Sequence, residues 1–344
     1  MAALQYLLWL TTRPYLRPER AAALLEQFGS AEAAYFADPS EYDLLGLPGG
    51  LKKALRDKNL DRTEQILADC DRQGIWLLTC QDAAYPERLL QIGDYPLVLY
   101  GRGRQFRFDE ELAIGMVGAR KCTPYGQAMA GRLGLELARA GALVVSGIAQ
   151  GIDTDVVYPA QNQWLYEDVA AAGALISEFP PGTGVEGWHF PVRNRIISGL
   201  SLGVVAVEAS EERSGTLVTA RRALDQSRDV FAVPGPADAP MSAGTNSLIS
   251  RGEAKLVRSA RDILAEYEAS FPHKLHGSVP LTREEAAQRL SAAPDAAREP
   301  EAAPAEEAAD ALTLEAAINF LEGLGYPTTP SNLYNLAYYK RIPY

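Results

Sequence analysis

The sequence predicts an α/β protein with a Rossmann-like, doubly wound and mostly parallel sheet, preceded by a small helical domain. From about residue 75 onward, short and nearly continuous apolar runs alternate with helix-like segments, as buried parallel strands and their covering helices do. Before that point, the apolar residues recur at helical spacing. Ligands of such a sheet bind at the carboxyl ends of its strands, so we expect the functional residues on that edge.

The first predicted domain, residues 1–75, is expected to be all helical, with helices in PERAAALLEQFG and LDRTEQILADCDRQG. Between these helices, LLGLPGGLKKAL resembles the turn of a helix-hairpin-helix or SAM-like domain. Such a turn can offer backbone N–H groups to a phosphate, although the same sequence also suits a plain helix connection.

The second predicted domain, residues 76–270, contains five candidate strands of the sheet: AIGMVG, ALVVSG, ALISE, LGVVAVEA and DVFAVPG. The segment YGQAMAGRLGLELARAG is a predicted helix between the first two. Residues 271–311 are predicted to form an acidic linker rich in alanine and proline, and residues 312–344 a short helical C-terminal domain, for which resemblance to a winged-helix domain is the alternative.

Composition limits the classes of function. The net charge of -11 argues against a protein coated in basic surface for duplex DNA, although residues 291–310 carry part of the acidic excess. Three cysteines without metal-ligand spacing support neither a disulfide framework nor a metal site. The sequence shows no signal peptide and no apolar run of membrane-spanning length, so we expect a cytoplasmic protein.

The segment VVAVEASEERSGTLVTARRAL predicts a buried strand that runs into a helix, with Ser214, Gly215 and Thr216 at the junction. Unpaired N–H groups and the positive end of the helix dipole make such a junction an anion site, with Arg213 beside it. The alternative is that Ser214 only caps the helix.

The first strand of the sheet ends in VGARKCTPYG, which places Arg120 and Lys121 at the strand end. This loop lacks the glycine pattern of a dinucleotide fold, so NAD and FAD are not expected, and the sequence predicts no cofactor. Arginine there suits a phosphate because its planar fork donates two hydrogen bonds. The alternative is a structural ion pair between Arg120 and Glu178.

The segment SEFPPGTGVEGWHFPVRNRIISGLS is predicted to be a long irregular binding loop. Rings at Trp188 and Phe190 stand next to Arg193, Asn194 and Arg195, and such a combination suits single-stranded nucleic acid. One of the two rings is instead expected to fix the loop to the core.

No catalytic motif accompanies these residues. Glu178 and Glu208 are the only acids at strand ends that could act as a general base, and either could instead brace an arginine. Binding without catalysis is therefore the preferred interpretation.

Seven blocks in order, among them VGARKCTPYG, SGIAQGID, HFPVRNRIISGLS, ERSGTLVTARRALDQSRDVFAVPG and GTNSLISRGEAKLV, resemble the DNA-processing protein A family, DprA or Smf. The resemblance covers roughly residues 85–263. It implies a non-enzymatic homodimer that binds and protects incoming single-stranded DNA and loads the RecA recombinase during natural transformation and recombination. A single-strand binding protein is a further candidate partner.

The resemblance also assigns residues. It implies DNA contacts for the strand-end arginine, the basic F-P-x-R-N-R segment and the helix start, and a dimer interface near G-T-N-x-L-I. The expected DNA-binding residues are Arg120, Lys121, Phe190, Arg193, Asn194, Arg195, Ser214, Gly215, Thr216 and Arg221, and the expected interface residues are Leu248 and Ile249.

The chain departs from the family pattern after SGIAQGID. The family has a helix and a strand before DVVYP, whereas only Thr154 and Asp155 intervene here. A parallel crossover needs at least about 10 to 12 residues. Either one βα unit is absent or residues are missing from the sequence, and we expect a physical break near Asp153 to Val156.

The alternative function is that of a phosphoribohydrolase-like, nucleotide-processing enzyme, but ERSGTLVTA lacks the paired glycines and glutamate of that class.

Overall fold

The computed structural model describes residues 2–147, 163–184, 187, 189–210 and 214–275. Several sequence predictions lie outside these residues: the break near Asp153, the ring of Trp188, the role of Arg213, the acidic linker beyond residue 275 and the C-terminal segment.

The N-terminal part is all helical, as predicted. Local signals set several helix ends: Asp38 and Glu41 form a capping box at the start of the fourth helix, and Gly29 and Gly74 follow the second and sixth helices in the left-handed conformation. The helices are α1 (Ala2–Thr11), α2 (Pro18–Phe28), α3 (Ala31–Phe36), α4 (Pro39–Leu44), α5 (Gly49–Arg56) and α6 (Asp61–Gln73).

These helices pack against a small antiparallel sheet. Its strands are β1 (Trp76–Thr79), β2 (Val98–Gly103) and β5 (Ala174–Ser177), in the order β1-β2-β5. Trp9 and Leu55 from the helices share one hydrophobic core with Tyr100 of β2. The N-terminal helices are therefore held by apolar contact with β2 and β5 rather than through their own core alone.

The central sheet has five parallel strands in the order β4-β3-β6-β7-β8. This is the Rossmann-like sheet that the sequence predicts. Its strands are β3 (Ala113–Val117), β4 (Leu143–Ser146), β6 (Gly203–Ala206), β7 (Asp229–Ala232) and β8 (Lys255–Leu256).

One predicted strand belongs elsewhere. The segment ALISE forms β5, but β5 pairs with β2 in the small antiparallel sheet and with no described strand of the central sheet. Its burial alternates, with Leu175 and Ser177 buried and Ala174 and Ile176 half-buried. That period of two is typical of an antiparallel strand and distinguishes β5 from the continuously buried β6.

Helices cover both faces of the central sheet. The remaining elements are α7 (Glu87–Leu90), the 3-10 helix Phe108–Glu110, α8 (Pro124–Arg139), α9 (Gln163–Ala172), α10 (His189–Leu200), α11 (Gly215–Asp225), α12 (Ala243–Ser250) and α13 (Ala260–Leu264). On one face of the sheet, Val205 of β6 packs in the cluster of α8 and α13, and on the other face Val204 packs with α11 and α12. The α10 helix packs against α11 and β3.

The predicted irregular loop after β5 is shorter than expected. The segment from His189 is the helix α10, and the six residues from Arg195 to Leu200 are buried. Helical geometry therefore decides where the basic residues of this segment point.

Across the described part of the chain, no helix combines the length and the hydropathy that crossing a bilayer requires.

Candidate nucleic-acid interface

The predicted binding residues meet where the strand order of the central sheet reverses. From β3, the chain passes through α8 to β4 on one side, while β6 pairs with β3 on the other side. The carboxyl ends of β3 and β6 are therefore neighbours. Arg120 follows β3, and Ser214 precedes α11 after β6. Such a switch point is the usual ligand crevice of a doubly wound sheet.

The start of α11 is open to an anion. Ser214 occupies the N-cap position with extended backbone, but its side chain makes no capping hydrogen bond. Thr216 is only 3% exposed, and its Oγ1 has no hydrogen-bond partner among the described residues. A Cβ added to Gly215 would meet nothing within 4 Å. Exposed N–H groups and a buried, unpaired hydroxyl suit a phosphate at this helix start.

The start of α8, at the end of the neighbouring strand, already holds an anion. The Glu208 carboxylate is 2% exposed and accepts hydrogen bonds from the backbone N–H of Thr123 at 2.8 Å and from its hydroxyl at 2.5 Å. Gly126 makes this approach possible, because a Cβ there would lie 2.2 Å from Glu208 Oε2. Glu208 thus binds a helix start rather than an arginine. Of these two helix starts, α11 is the one left for an external phosphate.

Two exposed cations lie in the loop after β3, the strand that pairs with β6. Arg120 and Lys121 are both exposed in the loop after β3. The Arg120 guanidinium lies over the ring of Phe190, with 4.6 Å between its Cζ and the ring centroid. This stacking brings the β3 loop and the N-terminus of α10 together. The alternative ion pair between Arg120 and Glu178 is not formed, because Glu178 binds Arg195.

Arg195 is directed into the protein. Its side chain is 1% exposed, with Nη2 2.6 Å from Glu178 Oε2 and Nε 3.4 Å from Asp94 Oδ2. Burial raises the pKa of Glu178, and the charge of Arg195 opposes that shift. This arginine joins β5 to α10, and its guanidinium has no exposed face for DNA in the described structure.

Arg193 takes a different direction, since residues two apart on a helix are about 200° apart around the axis. Its guanidinium packs against Gly147 at the end of β4, where an added Cβ would lie 2.7 Å from Arg193 Cζ. Burial lowers the pKa of Arg193; Tyr166 opposes the shift, and the charge of Arg120 adds to it. Arg120 and Arg193 are therefore close enough to repel each other, and a phosphate between them would relieve that repulsion. Asn194 accepts a hydrogen bond from Arg193 Nε at 3.3 Å.

The other predicted residues lie on α11 and α12. Arg221 is exposed on α11. Leu248, a predicted interface residue, is 4% exposed and packs with Ala220 in the protein's own core, and Ile249 packs partly against the same cluster. Among the described residues, no group of three or more histidine, cysteine, aspartate or glutamate side chains is placed to hold a metal ion.

A protein-family model matches the chain. The sequence model described as DNA recombination-mediator protein A matches residues 76–157 and 154–268. The two matched stretches overlap at residues 154–157.

Two individual proteins whose sequences are similar to this chain are DprA proteins. The chain is 40% identical over 223 residues to the DNA processing protein DprA of Bacillus subtilis, covering 59% of this chain and 74% of that protein. It is 37% identical over 212 residues to DprA of Streptococcus pneumoniae, covering 54% of this chain and 72% of that protein.

Two solved structures are similar. The X-ray structure of DprA from Streptococcus pneumoniae superposes with a TM-score of 0.58 at 30% identity, covering 76% of this chain and 97% of that one. A structure of DNA processing protein A from Helicobacter pylori, described for its unique single-stranded DNA binding mode, gives a TM-score of 0.50 at 26% identity, covering 56% and 96%.

Proposed function

Because the chain belongs to the DNA recombination-mediator protein A family, we propose that it binds single-stranded DNA at the β3–β6 switch point without reading its sequence. The observation that carries this proposal is the unequal state of two helix starts at one edge of the sheet. Glu208 fills the start of α8, while the start of α11 has an uncapped N-terminus and the unpaired hydroxyl of Thr216. The DNA backbone supplies the missing anion.

The charge beside α11 supports the same ligand. Arg120 and Lys121 are exposed, and Arg193 is near enough to Arg120 for the two charges to repel. A phosphate bound near both Arg120 and Arg193 neutralises this repulsion. Exposed Arg221 on α11 can follow the strand farther along the helix.

Phe190 provides a reason to favour a single strand. Its ring is half-buried at the start of α10, and one side carries the Arg120 guanidinium. An unpaired base can stack on a protein ring or on an arginine plane, whereas the bases of a duplex are already stacked on one another. The net charge of -11 further penalises the more densely charged duplex.

Binding in this proposal needs no catalysis. Glu178 and Glu208, the two acids that could serve as general bases, are engaged by Arg195 and Thr123. We also propose that the bound strand is protected and passed to a RecA-type recombinase in the cytoplasm, and that the chain acts as a homodimer, with a single-strand binding protein as a further partner. The buried position of Leu248 directs the search for a dimer contact to neighbouring exposed residues, with Ile249 at its margin.

The direct test is fluorescence anisotropy with labelled oligo(dT), a mixed-sequence oligonucleotide and the corresponding duplex. We expect similar affinities for the two single strands and weaker binding to the duplex, with no release of base from nucleoside monophosphates in a parallel assay. Equal affinity for duplex and single strand would contradict the binding proposal, and base release would favour the phosphoribohydrolase-like alternative. Filament formation by RecA on DNA coated with single-strand binding protein tests the loading step separately.

A further inference from the structure

Lys58, in the connection between α5 and α6, carries an amine that the proposed DNA site does not use. Its side chain is half-buried, and its Nζ lies over three aromatic rings. The distances from Nζ to the ring centroids are 4.8 Å for Trp9, 5.1 Å for Tyr35 and 4.9 Å for Tyr42. These rings belong to α1, α3 and α4, so the amine lies where three of the N-terminal helices meet.

The backbone on both sides of this amine is fixed by hydrogen bonds. Trp9 Nε1–H donates to Asp57 O at 2.8 Å, and the Tyr35 hydroxyl donates to Lys58 O at 2.6 Å. Arg13 Nη1 also donates to Asp57 O, at 3.1 Å. The main chain that carries Lys58 is therefore held in place by two of the residues whose rings surround its amine.

The surroundings satisfy only part of a charged lysine. An ammonium group has three N–H donors, and the acceptor that the described structure gives Lys58 Nζ is the Tyr42 hydroxyl oxygen, at 2.5 Å. Tyr42 in turn donates its own proton to Ala34 O. Burial raises the pKa of Tyr42 to about 12, so the phenol stays neutral at physiological pH and supplies no opposite charge.

Among the described residues, no carboxylate forms an ion pair with Lys58, and a second cation lies nearby. The adjacent acid, Asp57, is paired with Arg13, with 3.4 Å between Arg13 Nη1 and Asp57 Oδ2. The Arg13 guanidinium also lies against the Trp9 ring, with 5.3 Å between its Cζ and the ring centroid. Lys58 and Arg13 therefore share one ring, and each makes the charge of the other less favourable.

These contacts act on the protonation of Lys58 in opposite directions. The ring faces attract a cation and favour the ammonium form. Burial and, after it, the charge of Arg13 disfavour that form and lower the pKa of Lys58 from 10.5 to about 8. At pH 7.5 an amine with this pKa is neutral in about a quarter of the molecules, against about one in a thousand for an ordinary lysine. Only the neutral amine has the lone pair of a nucleophile.

We propose that Lys58 is a site of covalent acylation, at which its neutral amine attacks the carbonyl carbon of an acyl phosphate. The amide C–N bond forms as the C–O bond to the phosphate breaks. Inorganic phosphate leaves with that electron pair, and the nitrogen releases one proton to solvent. No oxidation or reduction takes place, and the acyl phosphate is the only co-reactant.

The acylated product suits the same surroundings. The amide nitrogen keeps one N–H, which is sufficient for the hydrogen bond to Tyr42. The product carries no charge, so the cost of burying an ammonium group and its repulsion by Arg13 both disappear. Acylation thus removes one positive charge from the N-terminal helices without removing the donor that Tyr42 accepts from.

The probe is acetyl phosphate, added to the full chain at pH 7.5, and acetylation at each lysine is followed over time by peptide mass spectrometry. Lys53 on α5 is exposed and serves as the internal reference. We expect Lys58 to be acetylated at least fivefold faster than Lys53. This advantage should disappear in a denaturing concentration of urea, because it depends on the folded surroundings of Lys58.

Two variants separate these surroundings from simple accessibility. Arg13→Met removes the repelling cation and frees Asp57 to pair with Lys58, so the rate at Lys58 should fall at least threefold while the rate at Lys53 stays the same. Arg56→Met is the matched control, since it removes an arginine two residues from Lys58, and it should leave both rates unchanged. If Arg13→Met fails to fold, the comparison of the folded and urea-unfolded chain still decides the question. A rate at Lys58 no higher than at Lys53, an advantage that persists in urea, or an unchanged rate in folded Arg13→Met would each overturn the proposal.

Discussion

Replacing Arg195 and Arg120 separately distinguishes an arginine that supports the site from one that contacts DNA. Arg195→Met keeps most of the side-chain volume but leaves the carboxylates of Glu178 and Asp94, which are 10% and 14% exposed, without their shared cation. Breaking a buried ion pair by removing one partner costs about 3–5 kcal/mol. We therefore expect a loss of this size in the free energy of unfolding, which is a large share of the roughly 5–15 kcal/mol that holds a typical domain together.

Arg120→Met should behave in the opposite way. Its side chain is exposed, and its described contact is the ring of Phe190, so the free energy of unfolding should change by no more than about 0.5 kcal/mol. Single-strand affinity should fall at every salt concentration, and the slope of log affinity against log salt should flatten by about 0.7 for the one lost phosphate contact.

Urea unfolding and anisotropy across a salt series measure both effects on the same preparations. The folded Arg195→Met variant should show the same slope of log affinity against log salt concentration as the chain without a substitution. Adding Glu178→Gln should restore part of its stability, because this change removes one uncompensated buried charge. An Arg195→Met chain of undiminished stability with a flatter salt slope would refute this assignment and give Arg195 a direct phosphate contact.

Substitutions at four further positions test other parts of the structure. Phe190→Ala should cost roughly 1–3 kcal/mol of single-strand binding per stacked base and leave the salt slope unchanged, whereas Phe190→Tyr should retain the affinity. Thr216→Val removes an unpaired buried hydroxyl, so urea unfolding should show equal or greater stability while anisotropy shows weaker DNA binding. Gly126→Ala should cost at least about 2 kcal/mol of unfolding free energy, because its Cβ would displace Glu208 from the start of α8; an unchanged urea midpoint would contradict this. Burial lowers the pKa of Lys58 from its ordinary 10.5 to about 8, so between these values the unfolded chain binds more protons and stability should rise with pH. Urea unfolding at pH 7.5 and 8.5 should show this rise, and Lys58→Met should abolish it; the range stays below about pH 9, where the raised pKa values of the Cys70 and Cys80 thiols begin to act in the opposite direction.

The elements were predictable wherever the apolar pattern was long and unambiguous. The helices of residues 1–75, four of the five strands of the parallel sheet and α8 follow from helical periodicity or from short apolar runs, whereas the two-residue, exposed β8 was not predicted. The sheet to which β5 belongs did not follow, because a four-residue apolar run fits either sheet and its partner β2 lies about 70 residues earlier in the chain. Strand partners are set by long-range packing, which local sequence does not encode.

The site shows the same limit. Arg120 and the start of α11 could be located because each directly follows a predicted strand. Arg193 and Arg195 were grouped as one basic pair, yet the helix turns one toward β4 and the other toward Glu178. A helical interpretation of HFPVRNRIISGLS would have separated them. No local signal could have revealed the contact between Glu208 and Thr123, since 85 residues separate the two.

Glu208 explains how a chain with a net charge of -11 can present a site for a polyanion. A helix start attracts negative charge only while its N–H groups lack a partner, and the effect is confined to the first turn. The Glu208 carboxylate accepts a hydrogen bond from the backbone N–H of Thr123 and so occupies the N-terminus of α8. Because Glu208 is only 2% exposed, its negative charge lies in this buried contact and does not face the crevice. Glu178 is likewise held by Arg195. Among the described residues, the acids that follow β5 and β6 are therefore both engaged inside the protein, whereas Arg120 and Lys121 are exposed and Ser214 makes no side-chain cap at the start of α11. Screening over about 8 Å at physiological salt isolates these groups from more distant acidic residues, so the local arrangement rather than the total charge determines what binds there.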